Sequence, residues 1–305
     1  MTFPSRSALS AASPPHPAWT GAACMLLAVL CFALLDTVAK HLVVGGMNPL
    51  QAVWGRYAFS VIPMLLVAPL LGWGRLATTR PGLQLARGLT LIAATAAMFT
   101  GLRWLQLADA YALSYVSPII VAVLSRYIFG ERLARMQQIA IALSFAGVLV
   151  VIRPAFVQTG AAVVFPFLMA ISYAAYQVLT RIARRSDDAL VCVFYASLAG
   201  ATVLSLVMPF IWQPMPASQW GAFTVMGGLG LIGHWLLAVA ANRASPSLLA
   251  PLSYAQLVYA ALIDLTIFGA IPDRWTVVGA AIILAGGALL WLGSKRLPDG
   301  PERVT

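Results

Sequence analysis

Ten times between residues 20 and 292 the chain returns to a run of about twenty mostly apolar residues. The runs fall at 20–41, 49–72, 82–102, 109–129, 136–153, 161–181, 190–210, 221–242, 249–268 and 275–292. A helix of that length crosses a bilayer. In hydrocarbon, backbone N–H and C=O groups must be paired within their own segment or in a closed barrel. Barrel strands alternate apolar and polar residues, whereas these runs are apolar on all sides. The chain therefore reads as an all-α integral membrane protein with ten transmembrane helices. Its balance of 61% hydrophobic to 9% charged residues, with mean hydropathy +0.88, agrees, since soluble domains carry about 25% charged residues.

A net charge of +10 would suggest nucleic acid in a soluble protein. Here the positions of the charges carry the information. With the N-terminus inside, 14 of the 19 Lys and Arg residues fall on the cytoplasmic side, among them Arg75, Arg80, Arg87, Arg181, Arg184 and Arg185. Lys40, Arg103, Arg153 and Arg274 fall outside, and Arg56 lies within a span. The positive-inside rule then places both termini in the cytoplasm, and the basic balance is a topology signal with no nucleic-acid partner implied. Residues 1–18 read as a disordered Ser/Pro-rich tail and 294–305 as a second cytoplasmic tail. The first apolar run is too long for a signal-peptide core and reads as an uncleaved span. Cys24, Cys31 and Cys192 all lie in spans, with neither a disulfide framework nor a metal-ligand spacing; no metal or cofactor is expected.

LSYVSPIIVAVLSRYIFG, starting at Leu113, returns 139 residues later as LSYAQLVYAALIDLTIFG, starting at Leu252. At the same offset Thr20-Gly21-Ala22-Ala23 becomes Thr159-Gly160-Ala161-Ala162, and Ala146-Gly147 becomes Ala285-Gly286. One gapless offset matching separate places implies two five-helix halves, 19–153 and 159–293. Five is odd, so the second half enters the membrane from the opposite side. Inverted repeats of this kind are a transporter architecture, because two near-equivalent packings open a central site to either side in turn.

LADAYALSYVSPII (107–120), closing in FGERL (129–133), resembles the fourth-helix signature of the EamA family of the drug/metabolite transporter superfamily. VGAAIILAGGALL (278–290) resembles that family's last helix. The resemblance covers nearly the whole chain outside the tails and implies a multi-pass protein of the bacterial inner membrane that moves a small metabolite without ATP. One departure is visible: Gly130-Glu131 fits the family pattern, but its repeat reads Gly269-Ala270, so that either Asp273 replaces the acid or the motif serves only to end a helix on the cytoplasmic side in the first copy.

Ionisable side chains in a span cost about 2.5–3.5 kcal/mol on insertion scales and are functional candidates unless they snorkel to water. Asp36 and Lys40 stand four residues apart on span one, with Arg56 at matching depth on span two. These three, with Asp264 of span nine and His234, are the coupling or gating candidates; a plain ion-paired helix lock is the competing reading. His234 lies mid-span behind Gly227, Gly228, Gly230 and Gly233. Its imidazole titrates near pH 6.5 when unperturbed (about that value in peptides) and suits either proton coupling or a substrate carboxylate. Its repeat partner is Thr95. Ser114, Tyr115 and Ser117 of span four, Tyr254 and Gln256 of span nine, and Tyr173 and Gln177 of span six complete the candidate substrate-binding set, with Tyr176 on the same stripe. Arg103 and Asp109, nearer the surface, read as structural. Trp19, Trp73, Trp220, Trp275 and Trp291 read as an interfacial belt. Ala142, Gly147, Gly279, Ala285 and Gly286 suit close helix packing or a homodimer contact.

The expected function is secondary transport of a small-molecule substrate by alternating access. Export of an amino acid or amino-acid-derived zwitterion, an opine-type metallophore among them, is favoured, with proton coupling a candidate drive. Uptake of riboflavin or S-adenosylmethionine is the alternative. A membrane-embedded enzyme would need an acid–base or nucleophile constellation, and His16, His41 and His234 have no acidic neighbours in a recognisable spacing.

Overall fold

A computed structural model describes residues 18–130, 135–244, 249 and 252–294. Of the tails expected at 1–18 and 294–305, residues 1–17 and 295–305 lie outside the described residues, as does Glu131, whereas Ala18 and Ser294 are the first and last residues of helices. In chain order the elements are α1 (Ala18–Val44), α2 (Pro49–Leu71), α3 (Pro81–Gly101), α4 (Leu107–Ser114), α5 (Ser117–Phe129) and α6 (Arg135–Thr159). They continue with α7 (Val164–Ala183), α8 (Ala189–Ile211), α9 (Ser218–Arg243), α10 (Ala255–Thr266) and α11 (Arg274–Ser294). Short 3₁₀ turns at Trp73–Leu76 and Gly160–Val163 join α2 to α3 and α6 to α7. Among the described residues, seven stretches are long and apolar enough to cross a membrane, and three shorter apolar helices cover Gln138–Val151, Ala255–Thr266 and Arg274–Gly286.

Local chemistry sets the helix limits. Asn48 caps α2 by accepting the Leu50 N–H at 3.0 Å, and Pro49 sits where no N–H is needed. Gly130 and its repeat Gly269 take φ of 70° and 63°, the left-handed stop that ends α5 and follows α10. Asp273 accepts the Trp275 N–H at 3.0 Å, so this acid caps α11 rather than the preceding helix. Span four is expected as one continuous helix but is broken at Tyr115–Val116. Pro118 has no N–H for the Ser114 carbonyl, so the chain tightens into a turn in which Val116 donates to Leu113 at 3.4 Å. Such a break is tolerated at membrane depth when it is buried in protein, and Ser114 and Val116 are both buried.

The 139-residue offset carries into the packing. Shifted by it, the α1–α9 contact becomes α7–α3, α2–α9 becomes α8–α3, and α1–α10 becomes α7–α5; α2–α8 and α6–α11 map onto themselves. Small residues set the closest of these contacts. A Cβ on Gly147 would stand 2.7 Å from the Gly279 carbonyl oxygen, and one on Gly279 would meet Gly147 at the same distance. The small-residue faces of α6 and α11 are thus used against each other within the chain. Trp19, Trp73, Trp220 and Trp275 are exposed, as a belt requires.

Candidate functional site: a mid-membrane pocket between two polar locks

Adjacent Arg56 and Tyr57, with Ser60 one turn further along α2, look toward α3, α8 and α9. With Leu91, Tyr176, Val193, Ala196, Ser197, Gly230, Leu231 and His234 they line a pocket near the middle of the helices. Arg56 Nη1 donates to Thr95 Oγ1 at 3.1 Å, and the Tyr57 hydroxyl lies 2.9 Å from the same oxygen. The repeat partners Thr95 and His234 therefore flank one guanidinium. Ser60 Oγ donates to the Gly227 carbonyl at 3.0 Å, a contact that a side chain at residue 227 would block, since a Cβ there would be 2.6 Å from Phe59 Cβ. The His234 ring packs edge-on against Phe32 with centroids 5.0 Å apart. The enclosed space is about 10 Å³, room for one water-sized sphere.

The other candidates form a seam beside this pocket. The Tyr115 and Tyr254 rings, related by the repeat, meet at 4.7 Å, and the Tyr115 hydroxyl donates to the Ser253 carbonyl at 3.1 Å. Gln177 Nε2 reaches Ser117 Oγ at 3.4 Å, and Gln256 interacts with the Tyr111 hydroxyl. Ser114 is turned inward to its own helix, donating to Ala110 at 2.7 Å. Tyr173 stacks on Tyr176 at 5.7 Å, which joins the seam to the pocket wall.

Towards the connections at 45–48, 102–106 and 267–273, Lys40 pairs with Asp264 at 3.0 Å. The i, i+4 neighbour Asp36 is instead bonded by the Tyr111 hydroxyl. Asp264 is wholly buried; its second oxygen accepts the Ala108 N–H at 2.8 Å, one of the orphan donors in the first turn of α4. The Lys40 ammonium also stands 4.3 Å from the Phe268 ring centroid. Asp109 accepts from Thr276 Oγ1 at 2.7 Å. These bonds tie α1, α4, α10 and α11 together at what is called here the Lys40 face.

At the opposite face Gln84, Arg87 and Asp187 link α3 to the start of α8. Sequence reasoning missed this cluster: Arg87 counted only as a topology charge, yet it is wholly buried. A warning was present, because Arg87 lies two turns inside α3 from Pro81 and its nearest chain neighbours are apolar or glycine.

Among the described residues no group of three or more His, Cys, Asp or Glu side chains could hold a metal ion. What the arrangement offers is a small polar site deep in a helical bundle, with a hydrogen-bonded charged cluster towards either end.

The chain is similar to several known proteins. An S-adenosylmethionine uptake transporter of Rickettsia prowazekii is 24% identical over 89% of this chain and 92% of its own length. A pseudopaline exporter, CntI, of Pseudomonas aeruginosa is 26% identical over 85% of this chain and 93% of its own. A solved crystal structure covering 91% of this chain and 98% of its own aligns with a TM-score of 0.62 at 21% identity, a likeness of fold. The profile of the EamA-like transporter family matches residues 19–153 and again 160–292. The chain is thus a multi-pass membrane transporter rather than an enzyme, of a bacterial-type family suited to the inner membrane, and it belongs to the EamA-like transporter family.

Proposed function

We propose that this transporter exports a small amino-acid-derived zwitterion by alternating access around the Arg56–His234 pocket. In this reading ten transmembrane helices form two inverted five-helix halves, 19–153 and 159–293, with both termini in the cytoplasm. The Lys40 face is then the outer mouth and the Arg87 face the inner mouth. Support for the halves comes from the 139-residue register of the packing and from the two segments that the family profile matches. The charge count supports the orientation.

The observation that carries the substrate class is the joint presence, deep in the bundle, of one guanidinium, one imidazole and the hydroxyls of Tyr57, Ser60, Tyr176 and Ser197. Arginine is the side chain best shaped to hold a carboxylate by two parallel hydrogen bonds. The Tyr57 and Tyr176 rings already face cations, the Arg56 and Arg87 guanidiniums, each 5.3 Å from the ring centroid, and an ammonium group of the cargo would take such a face only as the pocket widens. S-adenosylmethionine, the cargo of the Rickettsia relative, has an amino-acid end of this kind. A metabolite needs a site of about 300 Å³ or more, so the pocket of about 10 Å³ must widen. The α4/α5–α10 seam, with Ser114, Tyr115, Ser117, Tyr254 and Gln256, and the α7 residues Tyr173 and Gln177 would line the widened cavity.

Export is preferred on the likeness to the pseudopaline exporter; uptake is the second reading, favoured by the likeness to the S-adenosylmethionine uptake transporters. Metabolites in cells and medium of a deletion strain, the parent and an overexpressor decide between them. Accumulation of an amino-acid derivative inside on deletion and outside on overexpression supports export, and the reverse pattern supports uptake. No change across a broad panel of amino acids and their derivatives overturns the zwitterion class. His234 and Asp36 are the proposed proton carriers. Full pH-gradient-driven transport by both His234→Ala and Asp36→Asn would remove them from that role.

A further inference from the structure

Arg87 is 0% exposed and makes three bonds to three elements. Its Nε donates to Gln84 Oε1 at 3.0 Å on α3, its Nη1 to the Tyr176 hydroxyl at 3.2 Å on α7, and its Nη2 to the Cys192 carbonyl on α8. Gln84 passes the interaction on: its Nε2 donates to Asp187 Oδ2 at 2.5 Å, an oxygen that also accepts from Thr78 Oγ1 at 2.7 Å. Asp187 in turn lines a recess of about 450 Å³ shared with Arg75, Ser186 and Asp188. A continuous cation–amide–anion chain therefore runs from the recess to Tyr176, which lines the central pocket.

We propose that Arg87 is a positioning residue that lets the central pocket control the mouth on its own face, through Tyr176. A buried cation is costly unless hydrogen bonds and an anion compensate it, and here the anion acts through the oriented Gln84 amide. While Arg87 holds both the Tyr176 hydroxyl and the Cys192 carbonyl, α8 is drawn against α3. A cargo that draws the Tyr176 side chain away from Arg87 removes one of the three bonds, and the α3–α8 seam loosens at Cys192. The pocket's role as the cargo site is the reading given above; the latch itself makes a separate prediction that needs no cargo.

Cys192 is buried at that seam, with its sulfur 3.8 Å from Gln84 Nε2, and serves as the probe. In a chain carrying Cys24→Ser and Cys31→Ser, a membrane-impermeant maleimide is applied to inside-out and right-side-out vesicles. The parent should label slowly. Arg87→Gln and Asp187→Asn should each raise the rate about tenfold, the scale of losing a hydrogen bond to a charged group. Arg87→Lys should fall between, and Tyr176→Phe, which keeps every charge, should raise the rate about threefold for one neutral acceptor lost. The double change Lys40→Met with Asp264→Leu, at the other face, should leave Cys192 protected. Parental labelling in Arg87→Gln and Asp187→Asn overturns the proposal, as does an equal rise in the Lys40/Asp264 variant, which would mean general loosening. Should Arg87→Gln fail to fold, Tyr176→Phe decides, and an unchanged rate there overturns the latch. Labelling from the unexpected vesicle orientation would overturn the assigned sidedness and leave the latch standing.

Discussion

At the Lys40 face a cation and an anion touch, joining α1 to α10; at the Arg87 face they never meet, and a glutamine amide stands between them. The two locks are not copies of each other. At the 139-residue offset Lys40 corresponds to Leu179 and Asp264 to Ser125, while Gln84 corresponds to Phe223, Arg87 to Met226 and Asp187 to Asn48. Each lock thus faces uncharged residues at the equivalent place on the other side. Backbone packing follows the repeat and the electrostatics does not. On the proposed alternating-access reading, a symmetric bundle supplies two packings of similar energy, and unlike locks would decide which mouth is favoured and which one senses the pocket. The Arg87 lock reaches the pocket wall directly, through Tyr176; the Lys40 lock is set apart from it, beyond the Asp36–Tyr111 bond.

The largest effect is expected from breaking the direct pair. Lys40→Met leaves wholly buried Asp264 without its cation, and thermal unfolding in detergent should show a loss of about 3–5 kcal/mol. Adding Asp264→Leu should return most of that loss, because the stranded charge is gone. A single variant as mild as the double would show that losing Lys40 strands no charge at Asp264.

Arg87→Met should cost less, about 2 kcal/mol, since Asp187 keeps its bonds to Thr78 and Gln84 and no touching countercharge is stranded. An equal or greater loss than for Lys40→Met would erase the distinction between direct and relayed pairing. A transplant sharpens the comparison further. Leu179→Lys with Ser125→Asp copies the Lys40 lock onto the opposite face, and uptake assays in vesicles should show transport about tenfold slower with the fold intact, as a bias of about 1.4 kcal/mol toward one state implies. The smallest effect belongs to the neutral clasp of Gln51 with the backbone of Gln213, both bonds 3.0 Å long. Gln51→Leu should lower stability by about 1 kcal/mol with little change in which mouth opens.

Much of the architecture was legible in the residues themselves. Run lengths marked the helices, and the LSY and IFG echoes announced the repeat that the packing follows. Thr95 and His234 could be paired by offset alone, and both flank Arg56. What could not be read was partnership across distance. Lys40 stands four residues from Asp36 but is paired with Asp264, 224 residues away, and helix geometry near Lys40 gives no hint of it. The break in span four was half legible: Pro118 signals a lost hydrogen bond, but whether the helix kinks or tightens into a turn depends on what packs around it. Arg87 reads in the sequence only as one more cytoplasmic-side charge, because nothing nearby in the chain announces Tyr176 and Cys192, which with Gln84 enclose it from three helices.

The central claim is that one pocket opens to one face at a time. Ser197 lines that pocket and is buried, so Ser197→Cys in a chain with Cys24, Cys31 and Cys192 changed to serine reports directly on access. With the Lys40–Asp264 pair removed, an impermeant thiol reagent should reach it from the Lys40 face alone; with Arg87→Gln, from the Arg87 face alone. Labelling from the same face in both variants, or from both faces at once in either, would contradict the account.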